Sequence, residues 1–141
     1  MPSEGFARVI ELLDGLGLPV ETQVTTFNSS ALYDGTTLVT PKFAVIDTAT
    51  TPDTTIVAAV GGKKIRVLSA FMISAGSVNA RFESGTGGTA LTGQMNLVAN
   101  SGFVLPFNPI GWFETAVAAL LNLELSGAVS VDGALTYIEV D

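Results

Sequence analysis

The sequence contains no cysteine and no histidine. Those two absences together remove disulfide frameworks, thiolate nucleophiles, structural zinc sites and histidine-based catalytic triads. They do not locate the chain, because lack of cysteine fits either redox compartment. Charge is scarce as well. Asp, Glu, Lys and Arg make up 13% of the residues, where about 25% is usual. Only six are cationic (Arg8, Lys42, Lys63, Lys64, Arg66 and Arg81), and the net charge is −7, with a pI of about 4.3. A nucleic-acid binder needs a basic stripe to displace phosphate counterions, so no nucleic-acid partner is expected. The single cationic cluster, Lys63, Lys64 and Arg66, reads as a solvated strand end rather than an anion site. No uninterrupted apolar run approaches the ~18 residues of a membrane span. The stretch "MPSEGFARVIELL" has neither the basic start nor the long apolar core of a signal peptide. The expectation is a soluble protein with no membrane partner and no cleaved export signal.

Catalysis without histidine or cysteine would fall to carboxylates, Lys, Tyr or Ser. The 13 acidic residues form no DxD, ExxE or HExxH-like cluster. Asp47 and Asp53 flank a turn, and Glu114 and Glu124 flank the "WFET" run. A glycosidase needs two carboxylates facing each other across a cleft, and nothing in the spacing prescribes that. "DTATTPD" could offer Asp47, Asp53 and carbonyls to calcium, but it lacks the oxygen density of a cation loop. Gly85, Gly87 and Gly88 are followed neither by Lys-Ser/Thr nor by a helical pattern, which removes a Walker-type phosphate loop. The expectation is a protein that is not an enzyme and carries no cofactor and no metal. Trp112, Phe113 and Tyr137 could make a flat platform for a sugar ring. Aromatics beside a turn are more often core or interface anchors, so a carbohydrate-binding module is the alternative reading.

What the chain has in quantity is apolar side chain, at 48% of 141 residues. That length points to one domain with appendages. The content is enough for a sizeable core with apolar surface left over. Monomers rarely expose large contiguous apolar patches, so other copies or another protein should cover part of it.

Ser3 to Asp14 carries the only clear helical signal. Phe6, Val9, Ile10 and Leu13 fall on one stripe, Ser3 can cap the start, and Gly15 suits the stop. A helix of about three turns is too short to stand alone and must dock on something. Gly15 to Pro41 reads as an extended arm with short strands. From Lys42 the texture is short β-branched and alternating runs, punctuated by Gly, Pro and Asn at roughly 8 to 12 residue spacing, which is the rhythm of an all-β sandwich. The runs on either side of Ala75-Gly76-Ser77 read as a β-hairpin. "MNLVANSGFVLPF" reads as two short strands around Asn100-Ser101-Gly102. "TAVAALL" favours helix by propensity. Leu121, Leu123 and Leu125 alternating with Asn122 and Glu124 favour a strand over Leu120 to Ser126. Asp132-Gly133 is either a hairpin turn or a bulge in one long strand. The expected inward set is Val45, Ile56, Ile65, Val67, Phe71, Ile73, Val78, Phe82, Leu97, Phe103, Leu105, Leu121, Leu123, Leu125, Val131 and Tyr137. Each, when fully buried, is worth about 1.5–3 kcal/mol if it is a Val, Leu, Ile or Phe.

The pieces "GGKKIRVLSA", "RFESGTGGTALTGQMNLVANSGFVLPF", "GWFET" and "LNLELSGAVSVDGALTYIEVD" resemble, in order and spacing, a recurring group of small structural proteins of tailed bacteriophages. The match spans Gly61 to Asp141 and rests on turn spacing and aromatics. The resemblance implies an all-β fold: a jelly-roll-like antiparallel β-sandwich over residues 42–141, preceded by the short helix and extended arm of residues 1–41. It also implies a place on the capsid surface of a virion after synthesis in the host cytoplasm. The role implied is a capsid decoration (cement) protein, with the major capsid protein as partner and a homotrimer as its own assembly. A tail or fibre component is the nearest role beside it. Residues 1 to 60 fall outside the match, and N-terminal regions in the group commonly provide attachment. Phe6, Val9, Ile10, Leu13, Trp112 and Phe113 are the expected interface residues.

Overall fold

A computed structural model describes residues 31–141, together with the short strands Leu12–Leu13 (β1) and Pro19–Val20 (β2). The chain divides into two compact units, Met1–Ser30 and Ala31–Asp141. In the first, β1 pairs antiparallel with β2. The helix expected over Ser3 to Asp14 lies outside the described residues apart from Leu12 and Leu13, which stand in β1 rather than in a helix.

The second unit is built from strands. β3 (Leu32–Asp34) and β4 (Thr37–Val39) form a hairpin. β5 (Lys42–Thr48), β7 (Lys64–Ser74), β11 (Gly102–Leu105), β12 (Phe113–Glu114) and β14 (Val131–Val140) make one five-stranded sheet, with backbone order β11-β7-β14-β5 and β12 on β7. β6 (Asp53–Val57), β8 (Val78–Ser84), β9 (Thr89–Ala90), β10 (Met95–Leu97) and β13 (Leu121–Leu125) make the other, with order β10-β8-β13-β6 and β9 on β8. Every pairing is antiparallel. The two sheets share one apolar core. Ile46, Ile65, Val67, Met72 and Leu135 come to it from the first, and Val57, Phe82, Leu121, Leu123 and Leu125 from the second.

The alternation at Leu121, Leu123 and Leu125 does mark a strand, β13, held between β8 and β6. The alanine-rich run before it is not helical. Ala118 N–H donates to the Lys63 carbonyl and Ala116 N–H to the Ser84 hydroxyl. These tertiary bonds hold the backbone in a turn that local propensity does not favour.

Two expectations fail, for separate reasons. The runs flanking Gly76 are not a hairpin: β7 and β8 belong to different sheets. Alternation reports which face a residue takes, and it carries no information about which strand lies alongside. The inward set also fails in part. Val45, Phe71 and Ile73 point to solvent, and their places inside are taken by Ile46, Ala70 and Met72. In β7 the cause is a bulge. Thr136 pairs with Ser69 and Tyr137 with Val67, so Leu68 is the extra residue. One inserted residue reverses the parity of everything beyond it. Ile65 and Val67 face the core before the bulge, and Ala70 and Met72 after it. Leu68 turns instead to a small second cluster with Val39, Ile138 and Val140, beneath the β3–β4 hairpin.

Asp132-Gly133 is neither turn nor bulge. β14 runs through it with continuous register, Asp132 on Ile73 and Gly133 on Met72. Glycine is required there by a close approach, since a Cβ at residue 133 would lie 2.0 Å from the Phe71 carbonyl oxygen. Gly133→Ala should therefore destabilise the fold by about 1–3 kcal/mol, the usual range for forced overpacking. A thermal melt checks this, and an unchanged midpoint would contradict the close approach.

Candidate functional site

The outward faces of the two sheets differ in kind. On the β6–β13–β8 side the outward residues are polar and tied together. Arg81 donates to Glu83 at 2.8 Å and pairs with Glu124. The Asn122 amide donates to Asp53 at 2.6 Å and to Glu83 at 3.3 Å. Glu83 and Asn122 have no solvent exposure. Arg81 is thus shared by two carboxylates, while the Asn122 side-chain oxygen is buried without a hydrogen-bond partner among the described residues.

On the β11–β7–β14–β5 side the outward residues are mainly apolar, with Ser69 and Thr136 among them. Register places Val45, Ala134, Phe71 and Val104 in one line across four strands. Phe43 on β5 and Ile73 on β7 widen the line on either side. Exposure is 80% for Phe43, 72% for Val45, 53% for Phe71 and 73% for Val104. A groove of about 410 Å³ crosses the face between Phe43, Phe71, Val104 and Phe107. The β3–β4 hairpin covers only the end of this sheet around Leu68, Ile138 and Val140. The rest is bare. Asp47 and Asp132, register partners, close one side of it. Contiguous apolar area of this kind marks an interaction surface, and Phe43, Phe71 and Phe107 are the residue type that anchors interfaces.

The cationic cluster is not an anion site. Arg66 bridges Asp34 at 3.0 Å and Glu114 at 2.8 Å, Lys64 reaches Glu114 at 3.3 Å, and Lys63 pairs with Asp141. Asp34 lies in the β3–β4 hairpin and Glu114 in β12, so Arg66 ties both to β7. Burial pushes the Glu114 carboxyl upward, but hydrogen bonds from Arg66 and Lys64 outweigh it and hold the group below the usual carboxylate range. A depressed folded-state value stabilises the fold above the unfolded value of about 4.3, and that gain is lost as pH falls through the lower folded value. Glu114→Gln should therefore melt below the parent protein at neutral pH. The gap should close as the pH drops below about 4. A constant gap across a pH series of melts would show that the ion pair is not its source.

The aromatic residues expected to act together are separated. Trp112 is 45% exposed, and its indole N–H donates to the Pro106 carbonyl at 2.8 Å. Phe113 turns inward and stacks on Phe82, with ring centroids 5.1 Å apart. Tyr137 is packed against the core. No three-ring platform forms, and the sugar-face geometry is lost. Of the other expected interface residues, Phe6, Val9 and Ile10 lie outside the described residues, and Leu13 is placed only as a member of β1. Asp47 and Asp53 diverge to different sheets. Among the described residues no group of three carboxylates is placed to hold a metal ion.

The bare sheet face was legible as a surplus of apolar residues but not as an address. Phe43, Val104 and Phe107 carry no motif, and Val45, Phe71 and Ile73 read as core. The one available signal was that β5 has apolar residues on both parities, Phe43 and Val45 against Ala44 and Ile46.

No family model and no curated protein matches the chain. Among solved structures it is similar to the infectious bursal disease virus Gx strain structure, at 15% identity and a TM-score of 0.33, covering 75% of this chain and 35% of that one. It is also similar to the crystal structure of the T13 particle of the same virus, at 14% identity and a TM-score of 0.30, covering 87% of this chain and 36% of that one. The chain thus spans about a third of the length of either. Both likenesses fall short of a shared fold, and the functional reading rests on the surface itself.

Proposed function

We propose that the chain is a structural protein of a tailed-phage virion: a capsid decoration, or cement, protein that binds the assembled head as a homotrimer and stabilises it without catalysing a reaction. The observation that carries this reading is the bare apolar face across β5, β14, β7 and β11. It gives a small acidic protein a large surface whose burial is favourable and whose chemistry suits packing alone. The resemblance over Gly61 to Asp141 supports the virion setting. The strand order supports a jelly roll. With the two-residue β9 and β12 set aside, eight strands remain from β5 onward. Counted in chain order, they stand 6-3-8-1 in one sheet and 5-4-7-2 in the other. Two interleaved Greek keys on a double sheet have that order.

Stabilisation by such a protein is mass action. A ligand of the assembled shell and not of its free subunits adds RT ln(1 + [L]/Kd) at each site. An interface that lasts needs at least ~1,000 Å² of buried surface. Net negative charge keeps unbound trimers from clustering before docking. The test is to add purified protein to heads assembled without it and to measure their thermal rupture, with sedimentation equilibrium on the free protein. A trimer that raises the rupture temperature supports the role. A strict monomer that leaves heads unchanged and unbound removes it. Binding to tails and not to heads would move the protein to a tail or fibre position.

A further inference from the structure

The sandwich is open along one side. β10 and β11 are the outermost strands of their sheets, and they are only three and four residues long. Past β10, the edge of β8 is met by the two residues of β9 and by the backbone N–H groups of Leu91 and Thr92, which donate to the Phe82 carbonyl. Edge strands this short do not close the gap between the sheets. A cleft of about 520 Å³ lies there, among residues of β8, the β9–β10 stretch, β11 and the start of β12. The fully buried Phe82, stacked on Phe113, lines its inner part. Leu97 and Phe103 come to it from the two edge strands, with Leu91 beside them, and the exposed Trp112 borders it on the solvent side.

A packed interior leaves few voids larger than a water molecule. An apolar void of about 150 Å³ already takes up benzene, and ligand sites run from about 300 to 1,000 Å³. This cleft falls inside that range. Its chemistry is restrictive. No charged residue lines it. The Thr92 hydroxyl accepts the Phe82 N–H at 3.0 Å, and the Trp112 indole N–H is engaged by the Pro106 carbonyl. A guest there meets rings, alkyl chains and a thioether, and gains nothing from carrying charge.

We propose that this cleft is a binding site for a small uncharged apolar molecule, an aromatic ring system or a short alkyl chain. The site is separate from the outer sheet face and does not depend on the virion role. Trp112 is the only tryptophan in the chain, so its emission reports on the rim of the cleft without interference from another indole. The probe is N-phenyl-1-naphthylamine, titrated into the full chain. Dye emission should rise to saturation at one site per chain, Trp112 emission should fall with the same midpoint, and 1-octanol should reverse both. Leu91→Trp and Met95→Trp, two half-buried lining residues, should each fill the cleft and weaken dye binding at least tenfold with circular dichroism unchanged. Using both keeps the test intact if one variant misfolds. Phe71→Asp, on the outer sheet face, should bind the dye as the parent does. Absence of saturable binding, a Trp112 signal that does not follow the dye, binding that survives in a folded Leu91→Trp or Met95→Trp protein, or binding lost in Phe71→Asp would each overturn the assignment.

Discussion

Phe82→Ala is expected to destabilise the fold by about 3–5 kcal/mol, the range for truncating a large buried ring. Phe82 has no solvent exposure. It pairs with Leu123 of β13 and stacks on Phe113 of the opposite sheet, so it joins the two layers. Its backbone bonds to Leu91 and Thr92 do not involve the ring; the loss is one of packing. Domains of this size have only about 5–15 kcal/mol in total, so this one change removes a large share. The melting temperature should fall on the order of 10–20 °C. In urea the midpoint should drop with the slope unchanged, since the surface exposed on unfolding stays nearly the same. A loss under about 1 kcal/mol would mean that the sheets do not meet over this ring.

Phe71→Asp is expected to leave the fold intact and to break association. The ring is 53% exposed at the centre of the bare face, and a surface substitution of that sort changes stability by about 0.5 kcal/mol or less. In an assembly the same position is a buried aromatic anchor. Removing one costs at least about 2 kcal/mol, roughly 30-fold in affinity. An aspartate left there would add the penalty of a desolvated charge. Sedimentation equilibrium on parent and variant should show the proposed trimer lost while the melt stays within a few degrees. Val117→Asp is the control, at an exposed position in the turn before β13, away from the face. If Phe71→Asp assembles as tightly as the parent, the outer face is not the contact surface.

Much of the sandwich could be read before its shape was seen, because alternation is a local property. Leu121, Leu123 and Leu125 declare their strand whatever lies beside it. The two short strands around Asn100 are equally local, though they join different sheets, and Asn100 between them takes a left-handed conformation. What could not be read depends on residues far apart. The neighbour of β7 is β14, not β8, and no pattern within either strand says so. The bulge at Leu68 was also hidden, since "RVLSAF" contains no glycine to mark an irregularity. It alone decides that Phe71 and Ile73 face outward. The surface was therefore predicted in amount and misplaced in position. Trp112 and Phe113 show the same limit on a smaller scale. The "WFET" run marked them as aromatics of consequence, but adjacent strand residues take opposite sides, and only the fold tells which side is the core.

The place of β14 in its sheet has a consequence for how the protein is made. β14 lies between β7 and β5 and supplies the central ladder to both, yet the other described strands of the sandwich precede it in the chain. Until it emerges, β5 and β7 have no strand between them, and the backbone edges that β14 pairs stay open. Folding must wait on pairing across some ninety residues of chain, a slow class of event, and in that interval the nascent polypeptide is at its most aggregation-prone and most in need of chaperones.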